Sequence, residues 1–137
     1  MIMRIKLEDF AIMPTRGHPM DAGLDLYSPH DLWLHPGHHF LIDTGVHVEI
    51  PQGCVGLITS KSGLMKLGIT SRGTIDCGYT GTIKAVLYNH GKEGIEIRRG
   101  HKITQLVVLP IVIPEIEVVD ELQTTERGDA GFGSTGK

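Results

Sequence analysis

One stretch of this sequence combines an acidic and an aromatic residue at a spacing that could serve catalysis. Asp76 lies between Ile75 and Cys77, and Tyr79 follows three residues after it, within a segment bounded by glycines. A positioned carboxylate can take a proton from water, and an aromatic ring can lie against a sugar or a base. A structural β-turn with a stacked tyrosine would use the same residue types, so this stretch leaves both interpretations open.

A second stretch, Thr59-Ser60-Lys61-Ser62-Gly63, ends an apolar run with a cation, two hydroxyl side chains and a glycine. Such a turn can aim backbone N–H groups at phosphate oxygens, and the dipole of a helix over Leu64–Leu67 would add to the attraction. A loop of solvated polar residues would have the same composition. The stretch therefore indicates an anion site only in combination with others.

Two polar residues interrupt apolar segments elsewhere. Asp25 lies between Leu24 and Leu26, where a buried carboxylate would be costly unless it is paired. A structural alternative is that Asp25 caps a turn. Gln105 is the polar residue of the otherwise apolar run Ile103–Ile113, and it either satisfies a local backbone group or points into a site.

The C-terminal residues Glu126–Lys137 hold almost no apolar surface apart from Phe132. Arginine makes bidentate contacts with phosphate, glycine lets a backbone approach a ligand, and phenylalanine can cover a base. Without a ligand to order it, such a segment would be a disordered tail.

The elements that must position these residues are predicted to be β-strands. Gly (18) and Pro (7) separate short runs rich in Ile, Val, Leu and Thr, which is typical of an all-β sandwich or barrel. With 137 residues, the chain has the length of one domain. Leu64–Leu67 is the only predicted helix, and the predicted strands are Phe40–Asp43, Val46–Ile50, Cys54–Thr59, Ile83–Tyr88, Ile95–Ile97, Ile103–Leu109 and Ile116–Val119.

Composition excludes several functional classes. A formal charge of −3 gives no general attraction for nucleic acids. No run approaches the roughly 18 apolar residues needed to span a bilayer, and Met1–Lys6 lacks the apolar region of a signal peptide. These features predict a cytoplasmic protein that binds neither nucleic acid nor membrane.

Cysteine and histidine residues are assigned structural roles. Cys54 and Cys77 lack the spacing of a disulfide framework or a zinc site, so both are expected to be reduced. Cys77 follows Asp76 directly, but the stretch holds no histidine or other base to partner the thiol as a nucleophile, so Cys77 is interpreted as a packing residue. The stretch His35-Pro36-Gly37-His38-His39 is interpreted as a turn with solvated histidines.

Taken in order, the five stretches resemble the five motifs of the trimeric dUTPase family, from about Pro19 to Gly136. The resemblance implies a jelly-roll-like β-barrel over residues 1–125, a homotrimer with sites between subunits, and a flexible C-terminal arm over 126–137. It implies Mg²⁺-dependent hydrolysis of dUTP to dUMP and pyrophosphate by attack of water on the α-phosphorus. That reaction limits uracil in DNA and supplies dUMP for dTTP synthesis.

The resemblance also implies residue roles. Asp76 is expected to be the general base, Tyr79 to lie beneath the deoxyribose, and backbone groups between Gly73 and Lys84 to read the uracil edge. Mg²⁺ is expected to be held mainly by the triphosphate and water, with Asp25 acting through a water or as a structural anchor. The implied substrate-binding residues are Lys61, Ser62, Gly63 and Gln105 for the phosphates, Gly73, Thr74, Ile75 and Lys84 for the base, and Arg127, Phe132, Gly133, Ser134 and Thr135 from the arm.

The sequence departs from the family pattern at a few positions. Lys61 replaces the usual arginine and so lacks its planar two-pronged donor. Gly78 and Thr82 stand where acidic residues are common, and Ala130 replaces a common glycine. Two other functions remain open. One is that of a dCTP deaminase relative, against which the short length and complete arm motif argue. The other is that of a non-catalytic nucleotide-sensing trimer.

Overall fold

The computed structural model describes residues 1–136, and Lys137, the last residue of the predicted arm, lies outside them. Within that range the regular structure is ten strands and one four-residue helix, which confirms the all-β class. The elements are β1 (Ile5–Leu7), β2 (Gly23–Tyr27), β3 (Leu32–Leu34), β4 (His39–Val48), β5 (Cys54–Ser60), α1 (Ser62–Met65), β6 (Ile69–Thr70), β7 (Gly73–Ile75), β8 (Thr82–Asn89), β9 (Ile95–Ile97) and β10 (Lys102–Pro110).

The strands form two four-stranded antiparallel sheets and a two-stranded ribbon. The first sheet has the order β1-β4-β8-β6, the second the order β2-β10-β5-β7, and the ribbon pairs β3 with β9. Hydrogen bonds between strands do not close the two sheets into one barrel within residues 1–136. The expected jelly-roll-like barrel is therefore present as two facing sheets.

The core lies between these layers. Leu26 and Leu106 of the second sheet pack with Val46 and Ile83 of the first, because alternate residues of each strand face inward. A second cluster lies between the ribbon and the first sheet and includes Leu34, Ile42, Ile69, Ala85, Leu87, Ile97 and Ile103. Full burial of one Leu or Ile side chain stabilises the folded state by about 1.5–3 kcal/mol. Both clusters therefore keep the strands that carry the polar residues in fixed positions.

Most predicted strands are confirmed, but their bounds differ. Phe40–Asp43 and Val46–Ile50 belong to the single strand β4, whose register shifts between Asp43 and His47. Gly45 makes this irregularity possible, since it has a φ of 69° and the ring of Phe10 lies where a Cβ would be.

The predicted strand Ile116–Val119 is wrong. This segment pairs with no strand among residues 1–136, and Ile116 is 91% exposed. Its apolar residues have the composition of a strand, but strand structure needs a partner for the backbone N–H and C=O groups. The predicted helix exists and begins two residues earlier than expected, at Ser62.

The Asp76 stretch does not form a hairpin in which its flanking strands pair with each other. β7 pairs with β5, and β8 pairs with β4 and β6, so residues 76–81 connect the two sheets. The loop therefore crosses an edge of the sandwich. No helix within residues 1–136 is long and apolar enough to cross a membrane.

Candidate active site

Asp25 is buried and paired with two lysines. Its side chain is 4% exposed, and Lys61 Nζ lies 2.5 Å from Oδ1 while Lys102 Nζ lies 3.0 Å from Oδ2. Burial by itself would raise the pKa of Asp25, but the hydrogen bonds and charges of Lys61 and Lys102 outweigh burial and lower it. The same carboxylate raises the pKa of Lys102. The three side chains together carry a charge of +1 at neutral pH.

Gln105 lies beside this cluster on β10. Its backbone pairs with Asp25 on one side and with Thr59 on the other. Its Nε2 donates to the carbonyl oxygen of Ser60 at 3.2 Å, and its amide occupies the space next to Gly23. The glutamine thus satisfies a backbone group and lines a cavity of about 770 Å³, and its contact with a ligand stays a prediction.

The two residues that open α1 complete this part of the molecule. Ser62 and Gly63 are exposed. Lys61, the residue before the helix, makes no side-chain cap because an ammonium cannot accept from helix N–H groups, and its Nζ donates to Asp25 instead. We call Asp25, Lys61, Ser62, Gly63, Lys102 and Gln105 the Asp25 group. Its cations and exposed N–H groups can attract the oxygens of an anionic ligand.

The Asp76 loop, residues 73–84, is a second group. Asp76 is exposed, and its carbonyl oxygen accepts hydrogen bonds from the N–H groups of Gly78 and Tyr79, both at 3.1 Å. The Tyr79 hydroxyl donates to the carbonyl of Thr82 at 2.9 Å, and its ring covers Gly81, where a Cβ would lie 2.6 Å from the ring. These contacts fix the ring and leave the carboxylate free to meet a ligand.

Lys84 is placed close to this loop by β8. Its Nζ donates to the hydroxyl of Thr82 at 3.2 Å. Gly73, Thr74 and Ile75 pair with β5 through Ile58, Leu57 and Gly56. The residues expected to read a base therefore have a rigid backbone on both sides of the turn.

His47 also supports the loop and was not identified from the sequence. Its Nδ1 lies 2.7 Å from the carbonyl oxygen of Thr80 and its Nε2 lies 2.7 Å from a carboxylate oxygen of Glu8. The contact with Thr80, and then that with Glu8, raises the pKa of His47. Nothing in the sequence marks this histidine, because Thr80 is 33 residues away.

The arm residues form a third group. Arg127 Nε donates to the carbonyl of Ala130 at 3.0 Å, and Phe132 is fully exposed. Ala130 does not have a positive φ, so the replacement of glycine there introduces no backbone strain. Residues 126–136 hydrogen-bond to one another and to Thr125, and not to the strands. Arg127, Ser134 and Thr135 border a cavity of about 690 Å³.

The three groups do not meet in one chain. Within residues 1–136, no hydrogen bond or ion pair joins the Asp25 group, the Asp76 loop and the arm. No set of three or more His, Cys, Asp or Glu side chains in the same range is spaced to hold a metal ion. The three groups are therefore separate in this structure.

Fold and site together define an all-β protein that presents cations, backbone N–H groups and an exposed carboxylate to an anionic ligand. Residues 9–136 match the model of the dUTPase family. The chain belongs to that family, as the five sequence motifs predicted.

Relatives and solved structures agree with this assignment. The chain is 44% identical to a deoxyuridine 5'-triphosphate nucleotidohydrolase of Clostridium tetani, over 98% of this chain and 97% of the relative. It is 42% identical to the human mitochondrial protein of the same name, over 96% of this chain and 53% of that protein. The dUTPase of Staphylococcus bacteriophage 80alpha with dUPNHPP superimposes with a TM-score of 0.92 at 33% identity, covering 99% of each chain.

A further structure, a mutant dUTPase from phage phi11 of S. aureus, has a TM-score of 0.80 at 32% identity and covers 88% of this chain and 97% of its own. That protein coordinates a structural Mg(II) ion.

Proposed function

We propose that this protein hydrolyses dUTP to dUMP and pyrophosphate with the help of Mg²⁺. The observation that carries the proposal is the family match over residues 9–136, which contains all five motif stretches. The exposed carboxylate of Asp76 on a hydrogen-bonded turn supports the reaction, because a general base must reach both water and substrate.

In the proposed reaction Asp76 takes a proton from a water that attacks the α-phosphorus, and pyrophosphate leaves. Lys61 and the N–H groups of Ser62 and Gly63 hold phosphate oxygens, and Gln105 contributes its amide. Tyr79 offers a fixed ring beneath the sugar, while the backbone of residues 73–84 recognises the base. Positioning and charge stabilisation account for catalysis of this kind without a covalent intermediate.

The residues of the chain suit a metal that arrives with the substrate. Both oxygens of Asp25 are already bonded to lysines, so its role toward Mg²⁺ is through a water or as an anchor for those lysines. Mg²⁺ keeps several waters and binds readily to substrate phosphates. When bound, it neutralises charge that develops on the phosphate oxygens.

We propose further that the protein acts as a homotrimer with sites between subunits. On the outer face of β5 and β10, Leu57 pairs with Val107 and Val55 pairs with Leu109. The first three are half-buried and Leu109 is exposed. Beyond β10, Val112 is 88% exposed, Ile116 91% and Val118 94%. Exposed apolar surface of this extent supports subunit contact.

In the trimer we assign residues 1–125 to the body and residues 126–137 to an arm that closes over a site. Arg127, Ser134 and Thr135 of the arm hold the γ-phosphate. Phe132 stacks over the uracil, and Gly133 lets the backbone approach the ligand. The local hydrogen bonds of residues 126–136, separate from the strands, support an arm that moves as a unit.

A substrate panel tests the reaction and both alternatives. The protein is incubated with dUTP, dCTP, dTTP or UTP plus Mg²⁺, and pyrophosphate and base identity are followed. Selective formation of dUMP supports the proposal. Production of dUTP from dCTP would identify a deaminase, and tight binding without product would identify a nucleotide sensor.

Sedimentation of the same sample tests the trimer, which should have three times the 15.0 kDa mass of one chain. A monomer under assay conditions would contradict it. The cytoplasmic location stays a prediction from the sequence.

A further inference from the structure

Arg72 is a cation that no role described so far uses. It is exposed and directly precedes Gly73, the first residue of the Asp76 loop. Within residues 1–136 its guanidinium makes neither an ion pair nor a side-chain hydrogen bond, whereas Arg4, Arg16, Arg98 and Arg99 each do. A guanidinium with five donors and no protein acceptor is available to an anionic ligand.

The backbone beside Arg72 is fixed by Ser60, the last residue of β5. The Ser60 hydroxyl donates to the carbonyl of Ser71 at 2.9 Å and accepts from its N–H at 2.8 Å. Ser71 is 3% exposed, and its hydroxyl lies 2.6 Å from that of Thr104. The backbone directly before Arg72 is therefore rigid. It lies next to Ser60, the end of β5, after which Lys61 and α1 follow.

The same serine connects Arg72 to the Asp25 group. Gln105 donates to the carbonyl oxygen of Ser60, and Ser60, Gln105 and Arg72 line one cavity of about 770 Å³. Met65 of α1 and Tyr88 of β8 line other parts of it. Arg72 thus faces the same open space as the glutamine that we assign to the phosphates.

Lys61 does not make the two-pronged phosphate contact of an arginine, so a second cation has a role in the site. Its ammonium is bonded to Asp25 and, unlike a guanidinium, it cannot present two parallel N–H groups to a phosphate. Arg72, which directly precedes β7, offers such a pair, so the chain carries the planar donor at position 72 rather than at position 61.

We propose that Arg72 binds the terminal phosphates of the triphosphate and so takes over the contact that an arginine at position 61 would make. The inference rests on the proposed function, because it concerns the same substrate. It predicts that Arg72 binds the β- and γ-phosphates and contributes nothing to the binding of the nucleoside or of the α-phosphate.

The test compares two ligands on the assembled protein. Binding of α,β-imido-dUTP and of dUMP is measured for wild type and R72Q by calorimetry with Mg²⁺. Loss of a charge-assisted hydrogen bond should weaken α,β-imido-dUTP about 10- to 100-fold. The affinity for dUMP should stay the same, and the KM for dUTP should rise more than kcat falls.

Two further variants sharpen the test. R98Q removes the same charge from the residue after β9. It should leave both affinities unchanged, since within residues 1–136 the Arg98 side chain hydrogen-bonds only to Glu96. K61R placed in the R72Q background should restore much of the lost affinity, because it returns a guanidinium to the phosphates. A merely structural role of Arg72 would not be rescued in this way.

Three results would overturn the proposal while dUTP hydrolysis by the wild type stands. One is an unchanged affinity of R72Q for α,β-imido-dUTP, and another is an equal loss for both ligands. The third is dissociation of R72Q into smaller species by sedimentation, which would assign Arg72 to subunit contacts. Absence of dUTP hydrolysis by the wild type would instead refute the proposed function.

Discussion

Gly23 and Gln105 make close contact on adjacent strands, and this contact allows a substitution remote from the Asp76 loop to alter catalysis. A Cβ on residue 23 would lie 2.9 Å from Cδ of Gln105 and closer still to its Oε1. Gly23 does not have a positive φ, so alanine is compatible with the backbone there. Gly23→Ala should therefore act by pushing aside one flexible side chain.

The expected effect on stability is small. The displaced amide loses its hydrogen bond to Ser60, which costs about 0.5–1.5 kcal/mol. Replacing glycine by alanine at a permitted position stabilises by about 0.4–1 kcal/mol through the unfolded chain. The two effects nearly cancel, so the free energy of unfolding should change by less than about 1 kcal/mol.

The expected effect on activity is larger. A hydrogen bond to a charged phosphate contributes about 1.5–3 kcal/mol, which corresponds to a loss of about 10- to 100-fold in kcat/KM for dUTP. The assay is pyrophosphate release by Gly23→Ala, Gln105→Ala and the double variant, with urea denaturation of each. Because both changes remove the same amide, the double variant should be no worse than Gln105→Ala.

Gly78→Ala is the matched control, since nothing lies within 4 Å of a Cβ built there and its φ is not positive. It is the control for stability alone, because residue 78 lies in the loop assigned to the base, and it should stabilise the fold by about 0.4–1 kcal/mol without displacing a side chain. Wild-type activity in Gly23→Ala would refute the reasoning, and so would a double variant whose loss equals the product of the two single losses.

Three other predictions follow from the site. Asp76→Asn should lower turnover by about 10² to 10⁴ while dUTP still binds, and unchanged turnover in rapid-quench assays would remove Asp76 as the base. Deletion of residues 126–137 should leave a folded trimer with little activity, and full activity would show that the arm is not a lid. His47 has a raised pKa, so its bonds to Thr80 and Glu8 stabilise the fold fully below its unfolded pKa of 6.5, and this stability is lost as pH rises through the folded pKa. The melting temperatures of wild type and His47→Gln should therefore differ most near pH 6 and converge toward pH 9, and a constant difference would contradict the role of the charge.

Local features of the sequence predicted much of the fold. Short runs rich in Ile, Val, Leu and Thr located β5, β8 and β10, because these residue types favour strands and glycine or proline separates the runs. Gln105 was singled out because it is polar within an apolar strand, and the structure gives it a partner.

Contacts between distant residues could not be predicted in the same way. Asp25 was expected to need a partner, but the two lysines that supply it lie on other elements, and Lys61 is 36 residues away. The pairing of β7 with β5, rather than with β8, depends on which edges meet in the sandwich. The predicted strand Ile116–Val119 was wrong for a related reason, since a run of strand-favouring residues does not identify the strand that would pair with it.

The charge at Asp25 connects these observations. An aspartate with a lowered pKa stays ionised at neutral pH, so it holds Lys61 and Lys102 as a pair and leaves one net positive charge beside Gln105. A single positive charge is small against a triphosphate, and the other cations of the site must therefore come from elsewhere. In the proposed function Arg127 of the arm and a metal carried by the substrate would supply part of that charge, and Arg72, which lines one cavity with Gln105, would supply the rest.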